Sequence, residues 1–146
     1  MKRPAEGPAR SSMPRVGVVE WFRPGDYENV ENVLRALKTL GIEDLRMAIC
    51  GADWYTSEGD GWYEWLLPRL AKEVKILPCF LYTPPCLGVV PKFSSPPQTP
   101  KAYADFIDVM ITRFGDHFEW LEFWDQPNNQ NEWDTRMTPS GGFSPR

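Results

Sequence analysis

The feature of the sequence that most constrains the fold is a regular alternation of short apolar runs with stretches whose apolar residues recur at helical spacing. Four runs rich in β-branched or aromatic residues are separated by three such stretches between residues 16 and 134. Strands that alternate with helices pair in parallel through right-handed crossovers. The sequence therefore predicts an α/β fold with a parallel sheet in the order βαβαβαβ.

Local signals set the expected boundaries of these elements. We predict strands at 16–22, 44–50, 74–82 and 118–124, helices at 26–41, 62–70 and 100–114, and a loop at 51–61. Asp26 and Thr99 are candidate N-caps, and Gly41 and Gly115 are candidate helix ends. The Pro-rich stretch 83–98 predicts a long loop after the third strand, where it would form one wall of a cleft.

The domain organisation follows from where this periodicity stops. Residues 16–134 are expected to form one domain, with a disordered tail at 1–15 and an irregular tail at 135–146, because neither end shows apolar periodicity. A complete (β/α)8 barrel typically needs about 250 residues, so the 146 residues here are expected to supply part of one at most. The first and fourth strands would then be unpaired edges.

Composition argues against several classes of function. The formal net charge of −4 is unlike the basic stripe of a nucleic-acid-binding protein. No apolar run approaches the roughly 20 residues of a membrane span, and no secretory signal is recognisable, so we expect a cytoplasmic protein with no membrane partner. The three cysteines lack C-x-x-C spacing and His117 is the only histidine, so no metal or cofactor is expected.

The segment FEWLEFWDQPNN, residues 118–129, carries the most specific functional signal. If the strand alternates, Trp120, Glu122, Trp124 and Gln126 share one face. A carboxylate, indoles and an amide on one face suit a site where a sugar ring stacks on Trp and hydrogen-bonds to its neighbours. The alternative is that Glu122 is a satisfied buried carboxylate and the Trp residues are packing.

This segment resembles the fourth barrel strand of the clan A retaining glycoside hydrolases, in which a W-N-E-P sequence presents the general acid/base Glu. The continuation, with Asn128 and Trp133, resembles the beta-xylosidase-like members. The resemblance implies the N-terminal half of a TIM barrel and a carbohydrate ligand. The sequence departs from the family at the critical pair, where Asp125 and Gln126 replace Asn and Glu. Gln has no titratable proton, so the acid/base position is not competent.

Three further residues are candidates for substrate binding. Arg46 should point away from the helices with Ala48, and it matches the second-strand Arg that lies beneath the nucleophile in the family. A buried Arg needs an acidic partner, for which Glu20 and Glu122 are both considered. Glu20 would either face substrate or pair with Arg46, and Trp54 would either stack on a sugar or fold its loop onto the protein.

The expected function is that of a truncated or degenerate glycoside hydrolase of the beta-xylosidase type, inactive alone. A retaining glycosidase needs two carboxyl groups, and the family's nucleophile comes from the seventh barrel strand, which these residues do not supply. Asp125 is expected on the opposite side of the pleat, and Glu122 is expected too deep to replace the acid. The alternatives are a non-catalytic module that binds carbohydrate or a partner on Trp54, Trp124 and Trp133, and one half of a split glycosidase. Such a half would be completed by self-association or by a complementary half-barrel chain.

Overall fold

The computed structural model describes residues 15–134, so all of the predicted tail at 1–15 except Arg15, and the whole predicted tail at 135–146, lie outside the described residues. The strands are β1 (Gly17–Glu20), β2 (Asp44–Cys50), β3 (Lys75–Leu81) and β4 (Glu122–Phe123). The helices are α1 (Tyr27–Leu40), α2 (Gly51–Trp54), α3 (Gly59–Ala71) and α4 (Pro100–Phe114), and a 3-10 turn follows at Gly115–His117. Within the described residues, no helix is both long and apolar enough to cross a bilayer.

The four strands form one parallel sheet in the order β1-β2-β3-β4. This confirms the predicted α/β fold with alternating strands and helices. Each crossover connects neighbouring strands, so within residues 15–134 β1 and β4 each pair on one side only.

The three long helices pack on the same face of this sheet. Alternation along β2 places Leu45, Met47 and Ile49 in the main core, as the sequence predicts. The helices meet them with apolar stripes that include Leu34, Leu66 and Met110, all buried. A smaller cluster on the other face contains Ala48, Cys79, Leu81 and Trp124. One face of the sheet is thus covered by helices, and we call the other its inner face.

The capping residues lie where the sequence predicts, although the Asp26 side chain at the start of α1 makes no capping hydrogen bond. The Thr99 side chain accepts a hydrogen bond from the backbone N–H of Ala102, and Pro100 is the first residue of α4. Gly41 ends α1 with φ +67°, a left-handed conformation that favours glycine. The predicted loop at 51–61 was too long, since it contains α2 and the first residues of α3.

The fourth strand is shorter than predicted, and Pro78 explains why. The register of β3 against β2 is unbroken past Pro78, which pairs with Met47. Alternate residues of a parallel strand bond to opposite neighbours, so the N–H that proline lacks would have pointed at β4. Ile76 pairs with Phe118, and Cys79 pairs with Glu122. Between these two pairs the chain advances three residues along β3 but four residues along the segment that leads into β4. The extra residue is a bulge, and regular pairing starts only at Glu122.

Candidate functional site

The carboxyl ends of β3 and β4 carry unusual backbone conformations. Tyr82 directly follows β3 with φ +62°, and Trp124 directly follows β4 with φ +63°. Gln126, two residues further on, has φ +45°. Left-handed conformations are uncommon for residues other than glycine, and they cost of order 1–3 kcal/mol where the surrounding structure holds them. Such strain clusters at functional sites, which directs attention to this edge of the sheet, called here the carboxyl edge.

An ion cluster lies on the inner face just below the carboxyl edge. Arg46 of β2 reaches across β3 to Glu122 of β4, with its Nε donating to Oε2 at 2.6 Å and its Nη2 to Oε1 at 2.8 Å. The same Nη2 donates to Oδ1 of Asp125 at 2.8 Å. The bidentate pairing suits the planar guanidinium. Of the two partners considered for Arg46, the structure therefore selects Glu122 and adds Asp125.

The position of Asp125 corrects a sequence prediction. Simple alternation places Asp125 on the opposite side of the pleat from Glu122, yet both carboxylates meet Arg46. The left-handed turn at Trp124 is the physical reason, because it ends the extended backbone and rotates the next side chain back towards the inner face.

Arg46 holds Glu122 in its charged form. The hydrogen bonds from Arg46 lower the pKa of the Glu122 carboxyl, and they outweigh the opposing effect of desolvation. The hydrogen bond to Glu122 in turn raises the pKa of Arg46, and it outweighs burial, which on its own lowers the pKa of a guanidinium. A carboxylate held ionised in this way is a poor proton donor near neutral pH.

Glu122→Gln is expected to lower the free energy of unfolding at pH 7 by about 1–2 kcal/mol. The side chain is 35% exposed, so the loss falls below that of a fully buried pair. Because the folded pKa lies below the ordinary 4.5, the stabilisation is present above pH 4.5 and is lost as the pH falls through the folded pKa. Urea unfolding at several pH values should therefore show wild type and variant converging in acid. A difference that grows in acid would contradict the ion pair.

Trp124 is a buried residue rather than an exposed platform. Its side chain is 4% exposed and contacts Trp133, with ring centroids 4.4 Å apart in an edge-to-face arrangement. Its Nε1 donates to the carbonyl oxygen of Glu132 at 2.9 Å, and Glu132 accepts a second bond from the Tyr82 hydroxyl at 2.7 Å. Trp124 and Trp133 thus pin the chain after β4 against the end of β3, which leaves neither ring face of Trp124 open to a ligand.

Gln126 and Asn128 lie in the exposed turn that follows. Both side chains are exposed, and the side-chain oxygen of Gln126 accepts a weak hydrogen bond from Asn129 at 3.3 Å. Gln126 therefore lies at the carboxyl edge, two residues beyond the buried Trp124 and above the Arg46 cluster.

Glu20 and Trp54 lie away from this cluster. In the β1 to β2 register, Val19 pairs with Arg46, whereas Glu20 pairs with Met47 on the helix-covered face. The Glu20 carboxylate accepts a hydrogen bond from the backbone N–H of Trp21. Trp54 ends α2 and packs under the guanidinium of Arg113, 5.1 Å from its ring centroid. The structure does not bring either residue to the inner face.

A cavity of about 500 Å³ opens at the carboxyl ends of β1, β2 and β3, and sequence reasoning missed most of its lining. Its aromatic residues are Trp21, Phe22, Tyr82 and Phe93, and its charged residues are Arg23 and Asp53. Burial raises the pKa of the Asp53 carboxyl. Parallel strands end at one edge, so the aromatic residues near the carboxyl ends of the first and third apolar runs, Trp21 and Tyr82, were the available signal. Phe93 comes from the Pro-rich loop, which does form one wall.

This cavity adjoins the ion cluster. The guanidinium carbon of Arg46 lies 5.8 Å from the centroid of the Trp21 ring. Arg46 therefore contacts the two carboxylates of the ion cluster and also an aromatic residue of the cavity wall. Aromatic faces beside charged groups are the arrangement that binds a polar ring compound such as a sugar.

The cysteines in this region are not activated. Burial raises the pKa of Cys50 and that of Cys79 to about 12 each, so both are thiols rather than thiolate nucleophiles at neutral pH. Within residues 15–134, no group of three or more His, Cys, Asp or Glu side chains is placed to hold a metal ion.

No protein-family model matches the chain, and a search of curated proteins likewise returns no match.

Proposed function

We propose that this chain is a glycoside hydrolase-like half-barrel of the beta-xylosidase type, which keeps a carbohydrate-facing cavity but does not hydrolyse O-glycosyl bonds on its own. The proposal joins the resemblance of residues 118–134 to the geometry of the carboxyl edge. It makes carbohydrate the ligand and gives the chain no cofactor.

The arrangement of layers supports the half-barrel. All three long helices pack on one face, and the strand order is unbroken from β1 to β4. An open doubly wound sheet places helices on both faces, whereas a barrel keeps them all outside. The reach of Arg46 across β3 to Glu122 suits the inward-facing positions of a barrel. In such a barrel, sites form at the carboxyl ends of the strands, where Gln126 and the 500 Å³ cavity lie.

One observation carries the proposed loss of catalysis: the residue at the acid/base position is Gln126, and the two acids just before it in the chain, Glu122 and Asp125, are both bound to Arg46. Gln cannot protonate a leaving group. Arg46 forms ion pairs with both Glu122 and Asp125, and it keeps Glu122 ionised. Loss of general acid catalysis alone typically slows hydrolysis about 10²- to 10⁴-fold.

The cavity favours retained sugar binding, although through different residues from those in the resemblance. Trp54, Trp124 and Trp133 are engaged in packing contacts, so they are poor platforms. Trp21 is 39% exposed and lines the cavity together with Tyr82. We therefore assign the stacking role to Trp21.

We expect the purified chain to leave an aryl β-xyloside uncleaved while xylo-oligosaccharides change its Trp fluorescence on titration. Trp21→Ala should weaken that binding about tenfold, because it removes one stacking face. The control is Tyr27→Ala, an exposed aromatic that packs on α3 and lies outside the cavity. Hydrolysis by the wild type that disappears in Asp125→Asn would refute the proposed inactivity. Binding that both variants preserve would refute the assigned cavity.

A further inference from the structure

The cavity at the carboxyl ends of β1, β2 and β3 contains a carboxylate without a counter-charge. Asp53 of α2 lines this cavity and is partly buried. Within residues 15–134 it makes no ion pair, and its carboxylate accepts a hydrogen bond from the thiol of Cys50, which lines the same cavity. A charge that is partly removed from water and unpaired is unfavourable, so a ligand of opposite charge is stabilised beside it.

The two arginines near the cavity do not supply that opposite charge. Arg46 is bound to Glu122 and Asp125, so its cluster carries one excess formal negative charge. Arg23 lines the cavity, but its side chain is exposed to water, where its charge is screened. Burial and the Cys50 thiol, not Arg23, account for the shifted pKa of Asp53. Asp53 is therefore available to a cation that enters the cavity.

The aromatic residues of the cavity favour the same kind of ligand. Trp21 and Phe93 are both exposed, and the Tyr82 ring lies edge-to-face with Phe93 at a centroid distance of 4.8 Å. The faces of aromatic rings carry partial negative charge, so they attract cations, and they also stack on the apolar faces of sugar rings. A sugar that carries a positive charge gains from both properties.

We propose that the cavity binds amino sugars in preference to neutral sugars, with the sugar ring stacked on Trp21 and the ammonium group bound by Asp53. This inference rests on the proposed carbohydrate-binding function and names the class of saccharide. A neutral sugar stacks on Trp21 as well, but its hydroxyl groups leave the charge of Asp53 uncompensated. The volume of about 500 Å³ is within the range of small-molecule sites.

Titration of Trp fluorescence with three saccharides of equal length tests the preference in the wild type. Oligomers of glucosamine are charged at about pH 6.5, below the pKa of an aliphatic amine, whereas oligomers of N-acetylglucosamine are neutral. Xylo-oligosaccharides are a second neutral reference that lacks the acetyl group. The glucosamine oligomer should bind about tenfold more tightly than either neutral oligomer. Added salt should reduce this preference and leave the affinity of the neutral oligomers unchanged.

Substitutions at Asp53 assign the preference to one side chain. Asp53→Asn should abolish the tenfold preference, while Asp53→Glu, which keeps the charge, should retain part of it. The matched control is Asp108→Asn, which removes the same charge from an exposed residue of α4 outside the cavity and should keep the full preference. The comparison of saccharides in the wild type tests the inference even if Asp53→Asn does not fold.

The outcomes separate this inference from the function on which it rests. If a neutral oligomer binds the wild type as tightly as the glucosamine oligomer, the preference is refuted and the proposed sugar binding stands. The same holds if folded Asp53→Asn keeps the preference. If none of the three saccharides binds, the proposed sugar-binding function fails and this inference fails with it.

Discussion

Arg46→Met is expected to lower the free energy of unfolding by about 2–3 kcal/mol at pH 7. The change removes three charge-assisted hydrogen bonds and leaves Glu122 and Asp125 facing each other without a counter-charge. The expected loss lies at or below the 3–5 kcal/mol of a fully buried pair, because the Arg46 side chain is 21% exposed. Urea unfolding followed by circular dichroism measures it directly.

Arg113→Met is the matched control for this prediction. Arg113 also bridges two carboxylates, those of Asp60 and Glu64, but both of these are about 60% exposed. Exposed pairs contribute little, and the contact of the guanidinium with the Trp54 ring adds a small contribution, so the control should lose about 1 kcal/mol or less. Equal losses in the two variants would mean that the Arg46 cluster is no more than a surface ion pair, and its role at the site would have to be abandoned.

Trp124→Ala is expected to destabilise the chain by about 3–5 kcal/mol, the largest effect of any single substitution considered. The indole fills the small inner-face core with Leu81 and ties the following turn to β3 through Glu132. Alanine also leaves a side chain on a residue with φ +63°, which glycine tolerates better. Trp124→Gly should therefore be about 1 kcal/mol more stable than Trp124→Ala.

The comparison of these two variants separates packing from backbone strain. Thermal unfolding of both, with Tyr55→Ala as the exposed aromatic control, gives the three values needed. Tyr55→Ala should remain within about 0.5 kcal/mol of the wild type. If glycine proves less stable than alanine at position 124, the left-handed conformation is not a significant source of strain there.

Much of the scaffold could be predicted from local sequence signals. The bounds of β2 and the start of α4 at Thr99-Pro100 followed from patterns that lie within one element. Periodicity reports which face of an element is apolar, and caps report where a helix begins, so neither needs knowledge of distant residues. The parallel order of the strands followed from their alternation with helices.

The site was harder to predict because its geometry depends on residues far apart in the chain. The bulge before β4 is explained by Pro78 on the neighbouring strand, which a strand-by-strand analysis does not consider. The left-handed turn at Trp124 reversed the expected direction of Asp125. Alternation fails where the backbone leaves the extended region, and no local pattern announces that for Trp.

By itself the sequence determined the parallel α/β sheet, the inward direction of Arg46 and the amide at position 126, because these depend on periodicity and residue identity. Only the tertiary structure decided that Arg46 pairs with both Glu122 and Asp125, and that Trp124 is buried. The same holds for the cavity wall at Trp21 and Tyr82. Ion pairing and burial depend on distances between side chains from different strands, which are set only when the sheet has formed.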